Sequence, residues 1–165
     1  MYPLRRRPPR QLSPPAASAA SADPTAQRVL IVEDSDCLRA VAVHTLSARG
    51  YAVAEARHGE DALRVIAQTA KPFDLVVTEL VMPVMSGYKL GRRLARQSPG
   101  LPVLYMSATA SQTPVRSDSP SAPVLFMPRP FLPKDLLRQV TASLRPGQPS
   151  GGAEAFAPVL RPGVL

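Results

Sequence analysis

The sequence has no tryptophan, only one cysteine, and no long uninterrupted run of apolar residues. The single cysteine, Cys37, excludes an internal disulfide and fits a reducing compartment. No apolar run approaches the roughly 18 residues of a membrane-spanning helix, and the arginine-rich N-terminus lacks the apolar stretch of a secretory signal. We therefore expect a cytoplasmic protein without a disulfide scaffold or membrane insertion.

Acidic residues are also few, and the resulting charge is unevenly distributed. The formal net charge is +8 over 165 residues, and residues 1–28 contribute five arginines against one aspartate. Residues 1–27 are rich in Pro, Ala, Ser and Arg without apolar periodicity, which predicts a disordered basic leader. Residues 146–165 are rich in Gly and Pro and predict a flexible tail. The 45% hydrophobic content then supports one core, in a domain over 28–145.

Between the tails, strand and helix signals alternate. Short apolar runs predict five strands, at 29–32, 51–56, 75–78, 102–106 and 124–127. Helical spacing predicts helices over about 38–46, 59–70, from Ser86 onwards, and 134–144. In the first helix we expect the sheet-facing side to be Leu38, Val41, Ala42, Thr45 and Leu46. This alternation predicts a doubly wound parallel sheet with helices on both sides.

One connection fits this pattern poorly. Residues 108–123 contain Pro114, Pro120 and Pro123 and several serines. Since proline interrupts helices, we predict a short or irregular helix between the fourth and fifth strands.

Acidic, hydroxyl and basic residues stand at the predicted strand ends. Glu33-Asp34 follow the first strand, Glu79 ends the third, Ser107 the fourth, and Arg129 follows the fifth. Because the carboxyl ends of parallel strands form one edge where ligands bind, we expect these side chains to gather there.

In order and spacing, these motifs resemble the receiver domain of two-component response regulators, over about residues 28–145. The resemblance implies a flavodoxin-like (βα)5 fold and a phosphoacceptor position at Glu79. It implies a Mg²⁺ site made by Glu33, Asp34, Glu79 and the backbone carbonyl of Val81. It also implies switch positions at Ser107, Phe126 and Arg129, and structural loop residues at Pro83, Gly87 and Pro130.

Two residues depart from the family pattern at its centre. Glu79 stands where the family has the nucleophilic Asp, and Arg129 stands where it has Lys. The additional methylene of Glu moves the carboxylate by about 1.5 Å, and an error near 1 Å can reduce a positioned reaction by about 100-fold. We hypothesise that Glu79 reaches toward the phosphoryl position and that Arg129 holds it through paired hydrogen bonds. The domain would then partly mimic its phosphorylated state.

The sequence therefore predicts a non-enzymatic, stand-alone receiver in phosphorelay signalling, acting by protein–protein interaction in the bacterial cytoplasm. The expected partner is a sensor histidine kinase or downstream regulator, bound through the fourth strand, residues 108–123 and the last helix. Three alternatives remain open at this point. They are a conventional Mg²⁺-dependent phosphoacceptor that tolerates Glu79, a nucleic-acid-associated regulator using the basic leader, and a decayed module from a hybrid kinase.

Overall fold

The computed structural model of the protein describes residues 25–107 and 124–145. Within these residues the elements are β1 (Arg28–Val32), α1 (Asp36–Ser47), β2 (Ala52–Ala56), α2 (Gly59–Gln68), β3 (Leu75–Glu79), α3 (Gly87–Gln97), β4 (Val103–Ser107), β5 (Val124–Pro128) and α4 (Pro133–Ser143). They confirm the predicted strands and helices to within about two residues at each end. The predicted leader up to residue 24, the irregular helix in 108–123 and the tail from 146 lie outside the described residues.

The five strands form one parallel sheet in the order β2-β1-β3-β4-β5. The three inner strands, β1, β3 and β4, are buried along almost their whole length, as expected for continuous apolar runs covered on both faces. Helices α1 and α4 pack together on one face of the sheet, and α2 and α3 pack on the other. The predicted doubly wound α/β fold is therefore confirmed. None of the helices in the described ranges has the length and apolarity to cross a membrane.

The buried face of α1 includes Ala42 and Leu46, as predicted, but not Leu38 and Val41. Leu38 and Val41 are 46% and 45% exposed, whereas Arg39, Ala42 and Leu46 are buried. The helix is rotated so that its first turn directs Arg39 inward, where the guanidinium meets acidic and carbonyl oxygens at the end of the sheet. The buried side of α1 thus contains an arginine with polar partners, which the spacing of apolar residues alone does not indicate.

The helix starts follow simple capping chemistry. Ser86 caps α3, since its hydroxyl accepts from the backbone N–H of Lys89 at 3.4 Å, as predicted. Leu132 occupies the corresponding position of α4 and offers no side-chain cap. The carboxylate of Asp135 accepts from the Leu132 N–H at 3.1 Å, so half of a capping box remains.

Candidate functional site

The carboxyl edge of the sheet brings three of the predicted charged residues together. Glu33 follows β1 and is 1% exposed, while Glu79 ends β3 and is 8% exposed. Arg129 follows β5 and lies between them. The backbone N–H of Arg129 donates to the carbonyl of Ser107 at 2.8 Å, which fixes the end of β4 beside it. Asp34, in contrast, is exposed.

Arg129 divides its guanidinium between two carboxylates. Its Nη2 donates a hydrogen bond to Oε2 of Glu33. Its Nε lies 3.0 Å from Oε2 of Glu79, but the N–H is not directed at that oxygen, so this contact is an ion pair without a hydrogen bond. The predicted paired hydrogen bonds from Arg129 to Glu79 are therefore wrong. The buried carboxylates of Glu33 and Glu79 therefore share one cation, the guanidinium of Arg129.

The side chain of Glu79 folds back over its own loop. Its Oε1 accepts from the backbone N–H groups of Leu80 at 2.8 Å and Val81 at 3.3 Å. The additional methylene is thus accommodated by curling toward the backbone, rather than by extension outward as the sequence suggested. Each oxygen of the Glu79 carboxylate consequently has a positive or hydrogen-bonding neighbour.

Burial dominates the electrostatics of Glu33. Desolvation raises the pKa of its carboxyl, and the charge of Arg129 and a hydrogen bond from the Ser35 N–H, at 3.2 Å, partly offset that rise. The nearby Glu79 carboxylate also raises this pKa, since like charges disfavour ionisation. The guanidinium of Arg129 is therefore the positive charge that offsets the negative charge of both Glu33 and Glu79.

Arg39 is a member of the site that the sequence reasoning missed. It is buried, and its Nη1 donates to the backbone carbonyl of Glu33 at 2.9 Å. Its other nitrogens pair with Asp36 and with Glu55, the latter at 3.2 Å. The hydrogen bond from Arg39 is the main reason that the pKa of Asp36 is lowered. The sequence does contain an indication of this position, because Arg39 is at helical spacing from Ala42 and Leu46 and therefore lies on the same face of α1.

The Mg²⁺ ion that the resemblance implies does not fit these residues as they are arranged. Mg²⁺ needs carboxylate oxygens that can turn toward a cation. All four carboxylate oxygens of Glu33 and Glu79 already face backbone N–H groups or Arg129. No set of three or more acidic, His or Cys side chains within 25–107 and 124–145 is arranged to hold a metal ion. In this arrangement the positive charge next to both carboxylates is that of Arg129.

The loops around the site are held by close backbone approaches. A Cβ on Gly87 would lie 2.1 Å from the carbonyl oxygen of Glu79, so only glycine fits there. The Met85 N–H donates to the Pro83 carbonyl at 2.7 Å, which closes the turn after β3. The Arg129–Pro130 peptide bond is cis. Pro83, Gly87 and Pro130 therefore shape the loops that carry Glu79 and Arg129.

The predicted switch residues lie along β4 and β5. Ser107 is buried at the end of β4, and Phe126 is 39% exposed in β5. The ring of Phe126 stacks on Tyr105 with 5.5 Å between centroids. Burial raises the pKa of the Tyr105 hydroxyl to about 12. Phe126 thus stands outward beside a buried neutral ring.

A pocket of about 300 Å³ opens next to Arg129, between α1 and α4. Leu38 and Val41, two of the five α1 residues predicted to face the sheet, line it together with Phe131 and Leu136. The Arg129 guanidinium also lies 5.9 Å from the centroid of the Phe131 ring. Two exposed apolar residues of α1 therefore border the same pocket as Arg129.

Known proteins share both the sequence and the fold. Residues 29–141 match the family model described as the response regulator receiver domain. The chain is 36% identical over 116 residues to the sensor kinase CckA of Brucella abortus, covering 70% of this chain and 12% of CckA. It is 32% identical over 130 residues to the response regulator MprA of Mycobacterium bovis, covering 79% of this chain and 56% of MprA. The chain therefore spans only part of the length of these relatives.

The chemotaxis response regulator CheY4 of Vibrio cholerae has a similar solved structure. The TM-score is 0.64 at 28% sequence identity, and the match covers 73% of this chain and all of CheY4. Fold, family model and relatives agree on one conclusion: the chain belongs to the receiver domain family of two-component response regulators.

Proposed function

We propose that this receiver is a pseudo-receiver, which signals by binding a protein partner without accepting a phosphoryl group. The observation that carries the proposal is the position of Arg129 between the buried carboxylates of Glu33 and Glu79. A phosphoacceptor needs a free carboxylate oxygen as nucleophile and a metal ion to offset the transferred charge. Here Arg129 and the loop N–H groups occupy those oxygens.

The same contacts support a fixed signalling state. A new phosphoryl group would bring negative charge to this edge and attract donors around it. Glu79 already brings a charged carboxylate that engages two loop N–H groups and Arg129. The mimicry is partial, because a carboxylate carries one charge and a phosphoryl group nearly two.

We place the partner surface on β4, β5 and α4, together with residues 108–123, which lie outside the described residues. Strand β5 is at the edge of the sheet, and the partly exposed Phe126 ring lies on it. An exposed aromatic ring beside an edge strand is a typical anchor for a protein interface. The partner class is a sensor histidine kinase or a downstream regulator.

Intact mass spectrometry after incubation with acetyl phosphate and Mg²⁺ tests the loss of phosphotransfer. The wild-type chain is expected to gain no phosphoryl group, and the double variant Glu79→Asp/Arg129→Lys to gain one. A Glu79→Gln variant is the control for non-specific phosphorylation.

A phosphoryl group on the wild-type chain, absent from Glu79→Gln, would instead establish the second candidate, a conventional acceptor that tolerates Glu79. This second candidate is supported by the residues at the strand ends, which are Glu33, Asp34, Glu79 and Ser107 in that order. The proposed role of the basic leader in nucleic-acid binding concerns residues outside the described ranges.

A further inference from the structure

Helix α3 presents a row of four positive side chains to solvent. Lys89, Arg92, Arg93 and Arg96 are exposed and follow one another at helical spacings of three, one and three residues. Leu90 and Leu94 are buried on the opposite side of the helix. Because residues three and four apart share a helix face, the four cations form one stripe, which we call the α3 stripe.

The charge of the described residues is concentrated on this stripe. Helix α3 has no acidic residue, whereas the rest of 25–107 and 124–145 holds ten basic and nine acidic residues. Ion pairs engage Arg39, Arg57, Arg64, Arg129 and Arg138. Lys89, Arg93 and Arg96 make none with any described residue. Like charges four residues apart destabilise a helix, so the placement of Lys89 and Arg93 is unfavourable and an external anion would relieve it.

Exposed apolar side chains stand at the start of the same helix. Among the described residues, seven large hydrophobic side chains are exposed, and three of them are Val81, Val84 and Tyr88. Val84 is 67% exposed and has a φ of +64°, a conformation that is costly for a β-branched residue. A shallow groove of about 240 Å³ is lined by Met85 and the α3 stripe. Along the chain, Val84 and Tyr88 thus directly adjoin Met85 and Lys89, two residues that line this groove.

We infer that the α3 stripe and the loop before it bind an acidic protein segment that also carries apolar residues. A nucleic-acid backbone would satisfy the cations but would leave the two valines and the tyrosine without apolar partners. An acidic amphipathic segment satisfies both, with apolar anchors at the centre and charges at the rim. This surface lies across the sheet from α4, so the inference does not depend on the proposed function.

Fluorescence anisotropy with the full chain tests the inference. The probe is a labelled 16-residue helical peptide with Glu on one face and Leu on the other, compared with a 16-base-pair duplex DNA. The variant Arg93→Glu/Arg96→Glu is expected to weaken peptide binding at least about 10-fold. The control Arg49→Glu/Lys71→Glu changes the net charge equally at exposed positions elsewhere, and we expect less than a twofold effect. Val84→Gly, which also relieves the positive φ, is expected to weaken peptide binding but not DNA binding.

Three outcomes would overturn the inference. Equal weakening by the stripe variant and its control would show that net charge alone attracts the peptide. Tighter binding of the DNA, with the same dependence on Arg93 and Arg96, would assign the stripe to nucleic acid. A chain that binds neither probe at low salt has no docking surface on α3. Phosphorylation of the chain plays no part in any of these results.

Discussion

Replacing Arg129 with glutamine should destabilise the domain strongly and in a pH-dependent way. In wild type, the Glu33 side chain is 2% exposed and that of Arg129 20% exposed, and the guanidinium contacts both Glu33 and Glu79. Removing one partner of a buried ion pair costs about 3–5 kcal/mol. Because Arg129 keeps some solvent contact and Ser35 still donates to Glu33, we expect the lower end, about 3 kcal/mol at pH 8.

The pH dependence follows from the raised pKa of Glu33. Since burial raises this pKa above its ordinary value of 4.5, the folded state binds the proton more tightly than the unfolded state. Stability contributed at Glu33 is therefore lost as pH rises from 4.5 through the folded-state pKa. Arg129 lowers that pKa, so its removal raises it further and steepens the loss. The destabilisation at pH 5 should be at least about 1 kcal/mol smaller than at pH 8.

Urea unfolding followed by circular dichroism at pH 5 and pH 8 provides the measurement. With a slope of about 1.5 kcal/mol per M, the expected loss at pH 8 moves the midpoint by about 2 M. Arg138→Gln is the matched control, because Arg138 pairs with Asp135 at 3.4 Å while remaining 73% exposed. Such a pair contributes about 0–0.5 kcal/mol. If Arg129→Gln cost no more than this control, or cost the same at both pH values, the shared-cation interpretation would be refuted.

Three further predictions concern the packing around α3, β4 and α4. Gly91→Ala should destabilise the domain by about 1–3 kcal/mol in urea unfolding, because the new Cβ would lie 1.7 Å from the Tyr105 Oη. Adding Tyr105→Phe should recover part of that loss. If it recovered none, the proposed clash would be contradicted. Burial raises the pKa of Tyr105 to about 12, so the stability that its neutral hydroxyl contributes to the folded state is lost between about pH 10 and 12. Tyr105→Phe lacks this hydroxyl and should therefore lose less stability than wild type on alkaline titration. Equal titration curves would contradict this. Leu132→Ser should stabilise the domain by about 1 kcal/mol in urea, with Leu132→Ala as control, since the N-cap of α4 lacks a side-chain acceptor; a variant no more stable than the alanine control would contradict this.

The sequence was sufficient for the fold and for the location of the site. Short continuous apolar runs such as 29–32 and 75–78 identify buried parallel strands, and parallel strands place their following residues at one edge. The order of the strands therefore predicts Glu33, Glu79 and Arg129 at that edge. This prediction needs only the spacing of the apolar residues and the order of the strands and helices, and both can be read from a single sequence.

The pairing within the site could not be predicted in the same way. Which oxygen Arg129 contacts depends on the competition between Glu33 and Glu79, and that competition exists only after both are buried. The inward Arg39 was missed for a related reason. Its partners are Glu33, which follows β1, and Glu55, in β2, and the sequence does not show that they meet Arg39. The apolar residues Leu38 and Val41 were therefore predicted on the buried face instead.

The shared cation also constrains the routes by which the site can change during evolution. Replacing Glu79 with Asp alone shortens the carboxylate that faces Arg129, yet leaves the guanidinium bound to Glu33. Replacing Arg129 with Lys alone exchanges a planar fork that reaches two carboxylates for a single point charge, next to the buried Glu33. The two positions are therefore coupled through one guanidinium, and a change at either one alters the contacts of the other.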